Sequence, residues 1–211
     1  MEDRGRRLAA PILSYEDLRK KANEFLAKYH PHHTIPVPIE EIVEFQLGIQ
    51  IVPMPHLHEL LDVDGFLTAD LKEIYVHDFV YHKRPRRYRF TLAHEVGHFV
   101  LHADIYRQYQ QRQPSKIEEW KRFVNDIPAK EHRWLEYQGY AFGGLVLVPG
   151  DELVREAEQC INLVKSEGLD LAEHWDYVWT QISASLAGRF EVSTQVVERR
   201  LQKDNIPDQF A

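Results

Sequence analysis

Residues 89–102 read RFTLAHEVGHFVLH, and the rest of the chain is best understood outward from this stretch. Phe90, Ala93, Val96, Val100 and Leu101 recur at helical spacing, so a helix is expected over about 88–102 with that face on the core. His94, Glu95 and His98 fall in the pattern H-E-x-x-H. Two histidines four apart share one helix face, close enough for both imidazoles to bind one metal ion. Glu95 between them would stand beside that ion, where a carboxylate takes a proton from activated water. With 12 histidines in 211 residues, composition alone gives such a motif roughly 0.06 times per chain. The apolar setting argues against coincidence, because burying two imidazoles and a carboxylate is costly unless they are bonded or coordinated.

A catalytic zinc takes three protein ligands and keeps one position open. His102 continues the same face but lies about 12 Å from His94 along a straight helix, too far to share an ion bound at about 2 Å. The longer pattern H-E-x-x-H-x-x-G-x-x-H also fails, since Leu101 replaces its glycine and Asp104 its last histidine. A glutamate from a later helix remains, with Glu118, Glu119, Glu131 and Glu136 as candidates. Tyr88, His102 and Tyr140 are candidates for stabilising an oxyanion.

On the N-terminal side, residues 1–12 read as a flexible charged tail. Ser14 is a candidate N-cap with Asp17 near N3, opening a helix whose stripe is Leu18, Ala22, Phe25 and Leu26. The three prolines of HPHHTIPVP end it, and IEEIVEFQLG gives a second short helix stopped by Gly48. Strands are expected at about 49–53, 64–69 and 72–77, the last two as a hairpin with a polar turn at 69–72. A basic linker, HKRPRRYR, leads into the central helix. On its C-terminal side, 103–130 reads as a charged surface insertion with one short helix and only Trp120 and Phe123 as anchors. Pro128 can start a further helix that Pro149 stops. The fold class is therefore α+β: mostly helical, with a small antiparallel or mixed sheet packed beside the zinc helix and a C-terminal helix-loop-helix.

The stretch 89–102 resembles the signature of the ImmA/IrrE family of metallopeptidases. So do the upstream IYVH and the downstream spacing of Glu136, Phe142, Leu147 and Pro149. The family pattern there reads approximately E-x-E-A-N-x-F-A-x-x-L-L-M-P. Gln138, Gly139 and Tyr140 stand where it has Glu-Ala-Asn, and Gly143 replaces an alanine. The likeness extends from PVPIEEIVEFQLGI to LAGRFEVSTQVVERRL. It implies one Zn²⁺ bound by His94, His98 and Glu136, with Glu95 as the general base. It also implies limited proteolysis of a helix-turn-helix repressor as the activity. Beside the resemblance, Gly139, Gly143 and Gly144 would let the helix of Glu136 approach the zinc helix and its Gly97 closely. A metallopeptidase domain is thus expected over 13–150, with a helical region at 151–211 packed on it.

Composition bounds the alternatives. Thirty-three acids against 26 bases give a net charge of -7, which argues against nucleic acid as the main partner. Residues 186–201 have helix-turn-helix spacing, but 181–203 hold only four cations against two acids, a thin footprint for a DNA-binding regulator. A zinc-holding pseudo-protease that sequesters a partner is a third reading, opposed by the presence of Glu95. One cysteine, Cys160, fits a reducing compartment, and no segment approaches the ~20 apolar residues of a membrane span. A cytoplasmic protein is expected.

Overall fold

The computed structural model describes residues 9–109, 116–168 and 175–210. Ser14 caps α1 (Tyr15–Tyr29): its side chain accepts from the Asp17 amide at 3.1 Å, and the Ser14 amide donates to the Asp17 carboxylate at 2.9 Å. This is the capping box the sequence announces, and Leu18, Ala22, Phe25 and Leu26 are the residues α1 buries. After the prolines, α2 (Ile39–Glu41) runs on as a π-helical turn over Ile42–Gln46. Gly48 follows at a φ of +67°, a left-handed conformation that glycine adopts without strain.

Three strands then form one sheet, β1 (Gln50–Met54), β2 (Gly65–Leu67) and β3 (Glu73–His77), with the short helix α3 (Leu57–Leu61) between the first two in the chain. The order is β1-β3-β2, with β3 parallel to β1 (Ile51 opposite Ile74) and antiparallel to β2 (Phe66 opposite Tyr75). The sheet is therefore mixed, and β2 is an edge strand. A turn, α4 (Asp78–Lys83), leads to α5 (Pro85–Tyr109), which carries the HEVGH sequence. The helix is longer at both ends than the expected 88–102. Pro85 starts it, where the missing N–H and fixed φ suit a first turn, and the buried Ile105 and Tyr106 extend its apolar face into the stretch read as an insertion.

The burial of α5 also departs from a single stripe. Thr91 to His98 are all buried, while Phe90, Val100 and Leu101 are only partly so. The cause is packing on several sides, by α7 most extensively and by α2, α4, β2 and β3; a helix surrounded in this way has no polar face to show. Beyond it, α6 (Lys116–Asp126) is the short helix expected in 103–130, and its Trp120 ring lies 5.6 Å from Phe66. The side chain of Phe123 lies outside the described residues.

The last helices are α7 (Ala129–Leu147), α8 (Gly150–Ser166), α9 (Trp175–Arg189) and α10 (Thr194–Lys203). Between α9 and α10 the chain turns through the buried Phe190 and Val192. Val197, Arg200 and Leu201 of α10 are buried, and Arg200 Nε donates to the Val148 carbonyl at the end of α7. Of the stretch 1–12, residues 1–8 lie outside the described residues; Ala10 and Pro11 are hydrogen-bonded to Glu131 and Gln138 of α7. Among the described residues no helix is long and apolar enough to cross a membrane.

Candidate metal centre

The helices α5 and α7 lie unusually close, because glycines face each other where they meet. A Cβ on Gly97 would stand 3.0 Å from Gly139 Cα, and one on Gly143 3.1 Å from the His94 backbone nitrogen. Gly144 differs from expectation: it faces Arg200 at an ordinary 3.7 Å and has no part in the approach. A Cβ on Gly139 would meet His94 Cε1 at 3.0 Å and His98 Nε2 at 3.1 Å, so the absent side chain is what leaves room for both rings. Gly139→Ala should therefore cost stability. Helix propensity favours alanine by about 1 kcal/mol, but overpacking costs about 1–3 kcal/mol and falls on the two imidazoles. Thermal melts should show a lower Tm with weakened divalent-metal binding; a variant more stable than the parent with full metal binding would contradict the packing described here.

Three side chains converge in the resulting space. His94 Nε2 and His98 Nε2 are 3.0 Å apart, and Glu136 presents Oε2 to His94 at 3.3 Å and Oε1 to His98 at 3.5 Å. A tetrahedral ion with ligands at about 2.0–2.1 Å has donor–donor edges of about 3.3–3.4 Å. The triangle is close to that size, and these three residues form a group able to hold a metal. Glu131 and Glu118 are not among the three. Glu131 accepts from the Ala10 amide at 2.8 Å, Glu118 is exposed on α6, and the side chain of Glu119 is outside the described residues. His132, one turn before Glu136, was not picked out from the sequence; its Nε2 is 3.7 Å from Glu136 Oε1. The same-face spacing of the pair was the available signal.

Electrostatics separate the two carboxylates. Burial would raise Glu136, but its hydrogen bond to His94 and the charges of His98, His94 and His132 outweigh it and bring the group down to about 2. Glu95 is buried and outside the triangle; burial, helped by the charge of Glu136 and opposed by His94 and the Leu67 amide, lifts it to about 7. Its Oε2 accepts the Leu67 N–H of β2 at 2.8 Å. Edge strand and central helix are thus joined at the one carboxylate that is free of the donor set.

Behind the triangle runs a chain of hydrogen bonds whose polarity can be deduced. Gln138 Nε2 donates to the Pro11 carbonyl at 2.6 Å, which turns Oε1 toward His102 Nε2 at 2.8 Å. Burial lowers His102 to about 4 and His98 well below its usual value, so each ring carries one proton. His102 must donate from Nε2 and accept at Nδ1. His98 Nδ1, 2.9 Å away, must then be the donor, leaving His98 Nε2 with a free lone pair facing His94 and Glu136. His102 is thus excluded from the donor set, as its spacing required, but supports it from behind. Of the oxyanion candidates, Tyr88 is bound to Glu40 at 2.8 Å, which with burial raises its pKa. Tyr140 lines the cleft, half-exposed, with its ring 5.0 Å from His94.

The triangle opens on a cleft of about 1480 Å³ bounded by α5, α7, β2 and α10. Comparisons agree with this architecture. A solved structure described as a Mycobacterium tuberculosis transcriptional regulator shares the fold at a TM-score of 0.53 and 17% identity, over 88% of this chain and 46% of that one. The chain thus spans about half the length of that relative. A search of curated proteins finds no significant match. The family model of the IrrE N-terminal-like domain, Peptidase M78, matches residues 46–202. With both histidines, Glu95 and Glu136 inside that match, the chain belongs to the Peptidase M78 family and carries its metallopeptidase-like domain.

Proposed function

We propose that the chain is a zinc-dependent metalloendopeptidase in which His94, His98 and Glu136 hold one ion and Glu95 is the general base. The observation that carries this reading is the donor triangle with a buried carboxylate beside it that is not one of the three donors. Zinc held there supplies Lewis acidity to a carbonyl and lowers the pKa of water. Glu95 would take the proton from the attacking water and return it to the leaving amine, the exchange a positioned carboxylate performs as general base and then general acid. The His98–His102–Gln138 chain fixes the ring of His98 so that its Nε2 would be presented to a bound ion.

The substrate we infer is a helix-turn-helix transcriptional repressor, cut in the cytoplasm at a limited number of bonds. Resemblance supports this, as does the likeness to a protein described as a transcriptional regulator. That likeness also favours a second reading, a regulator that binds DNA through α9 and α10. The burial of Val197, Arg200 and Leu201 weakens it, and a gel shift at low salt tests it. The peptidase reading is tested with zinc-loaded protein and helix-turn-helix repressors from the same genome, starting with any encoded next to its gene. A discrete cut, lost on chelation and restored by zinc, is the expected result; an intact repressor with the metal fully loaded would count against it. Gln138→Leu should lower zinc affinity by about 10–100-fold, measured by competition with a chelating dye. Affinity equal to the parent's would remove Gln138 from any supporting role.

A further inference from the structure

Two basic stretches that this reading leaves unused meet at one end of the cleft. Because Gly97 faces Gly139 and Gly143 faces Ala93 and His94, α5 and α7 run antiparallel, and the first turn of α5 lies beside the end of α7. The α9–α10 turn reaches the same place: Arg89 Nε is 3.7 Å from Glu191 Oε2, and Arg200 lies against Gly144 and Gly150. Lys83, Arg84, Arg86 and Arg87 therefore share a cleft wall with Arg199, Arg200 and Lys203. These seven cations face four lining carboxylates, of which Glu95 and Glu136 belong to the metal centre.

Some of this charge is already answered. Arg87 pairs with Asp64 at 2.7 Å and Arg200 with Asp204 at 2.8 Å. Lys83, Arg86 and Arg199 are exposed and make no ion pair among the described residues. A solvated charge run is the ordinary fate of such residues. Here, however, Arg86 and Arg87 occupy the first turn of α5, which has no acid and where the helix dipole disfavours cations. The chain as a whole carries -7, so the local excess runs against the overall balance. The cleft lining contributed by α6 and the middle of α7, at Trp120, Val124 and Leu135, carries no such cations.

We propose that this basic end recognises an acidic segment of the polypeptide substrate, an inference that rests on the peptidase reading above. Arg86 stands about 12 Å from His94 along α5, which an extended chain covers in about three to four residues. Aspartate or glutamate is therefore preferred about three to four positions to one side of the cleaved bond. A peptide fits better than a duplex, because these cations line a concave cleft and a duplex offers its phosphates on a convex rod.

The test uses two fluorescein-labelled peptides that share the same apolar residues and differ only in carrying four glutamates or four glutamines. The zinc-loaded chain should bind the glutamate peptide about tenfold more tightly at low salt, with the advantage shrinking as salt screens it. In the Arg86→Glu, Arg199→Glu double variant, checked for an unchanged melt, that preference should vanish or reverse. Equal affinity for the two peptides, or a preference that survives the double substitution, overturns the proposal. So does a short DNA duplex that binds more tightly than the glutamate peptide and loses affinity in the double variant. Acid-selective peptide binding by a zinc-loaded chain that leaves every repressor tested above intact would sink the peptidase reading and leave acidic recognition standing. A repressor that is cut while the two peptides bind equally would do the reverse.

Discussion

Glu95→Gln should reduce cleavage of a protein substrate by about 10²–10⁴-fold, the usual contribution of a general base, while zinc content stays at the parent level. The two effects separate because Glu95 lies outside the donor triangle. A glutamine carbonyl can accept the same Leu67 N–H that Glu95 Oε2 accepts at 2.8 Å, so the contact between β2 and α5 survives with side-chain volume unchanged. Only the capacity to take a proton is lost. Folding should not suffer. In the metal-free protein the folded state holds the Glu95 proton up to about 7, above the unfolded value of about 4.5. Stability from this group therefore falls as pH rises through that window, and the glutamine variant escapes the loss. Cleavage at the parent rate by a zinc-loaded Glu95→Gln protein would show that Glu95 is not the base.

Local signals explain what could be foreseen. The Ser14–Asp17 box, the alternation of EIYVH and the histidine spacing each depend on residues within one turn or one strand, so they survive without tertiary information. Residue chemistry narrows the third carboxylate to four candidates and no further, because choosing among them requires knowing which helix crosses α5. Features that depend on long-range pairing were out of reach. Gln138 meets Pro11 across a separation of 127 residues, and nothing in AAPIL suggests that a carbonyl there closes a hydrogen-bond chain ending on His98. The parallel pairing of β1 with β3 leaves no mark in either strand. The extension of α5 past His102 was hidden because Asp104 and Arg107 interrupt the apolar pattern, although Ile105 and Tyr106 carry the buried face onward.

His98→Ala should abolish zinc binding at micromolar concentrations and activity with it. The magnitude follows from position. Outer partners of metal ligands are worth about 10–100-fold in affinity, so a ligand that supplies one of three donors must be worth more than about 100-fold. His98 also terminates the His102–Gln138–Pro11 chain, and its removal leaves His102 Nδ1 buried without its donor. Thermal melts give a readout independent of any substrate. A ligand that binds only the folded state stabilises it by about 4.1 kcal/mol when present at 1,000 times its dissociation constant, so the parent should melt markedly higher with zinc than without. The variant should melt at one temperature in both conditions. His132 offers the sharpest internal comparison: it approaches Glu136 Oε1 at 3.7 Å but lies outside the donor triangle, so His132→Ala should keep the zinc-dependent rise that His98→Ala loses. If the two variants responded to zinc alike, the ligand set of His94, His98 and Glu136 would have to be redrawn, because geometry alone distinguishes a donor at 3.0 Å from His94 Nε2 from a neighbour that only touches the carboxylate.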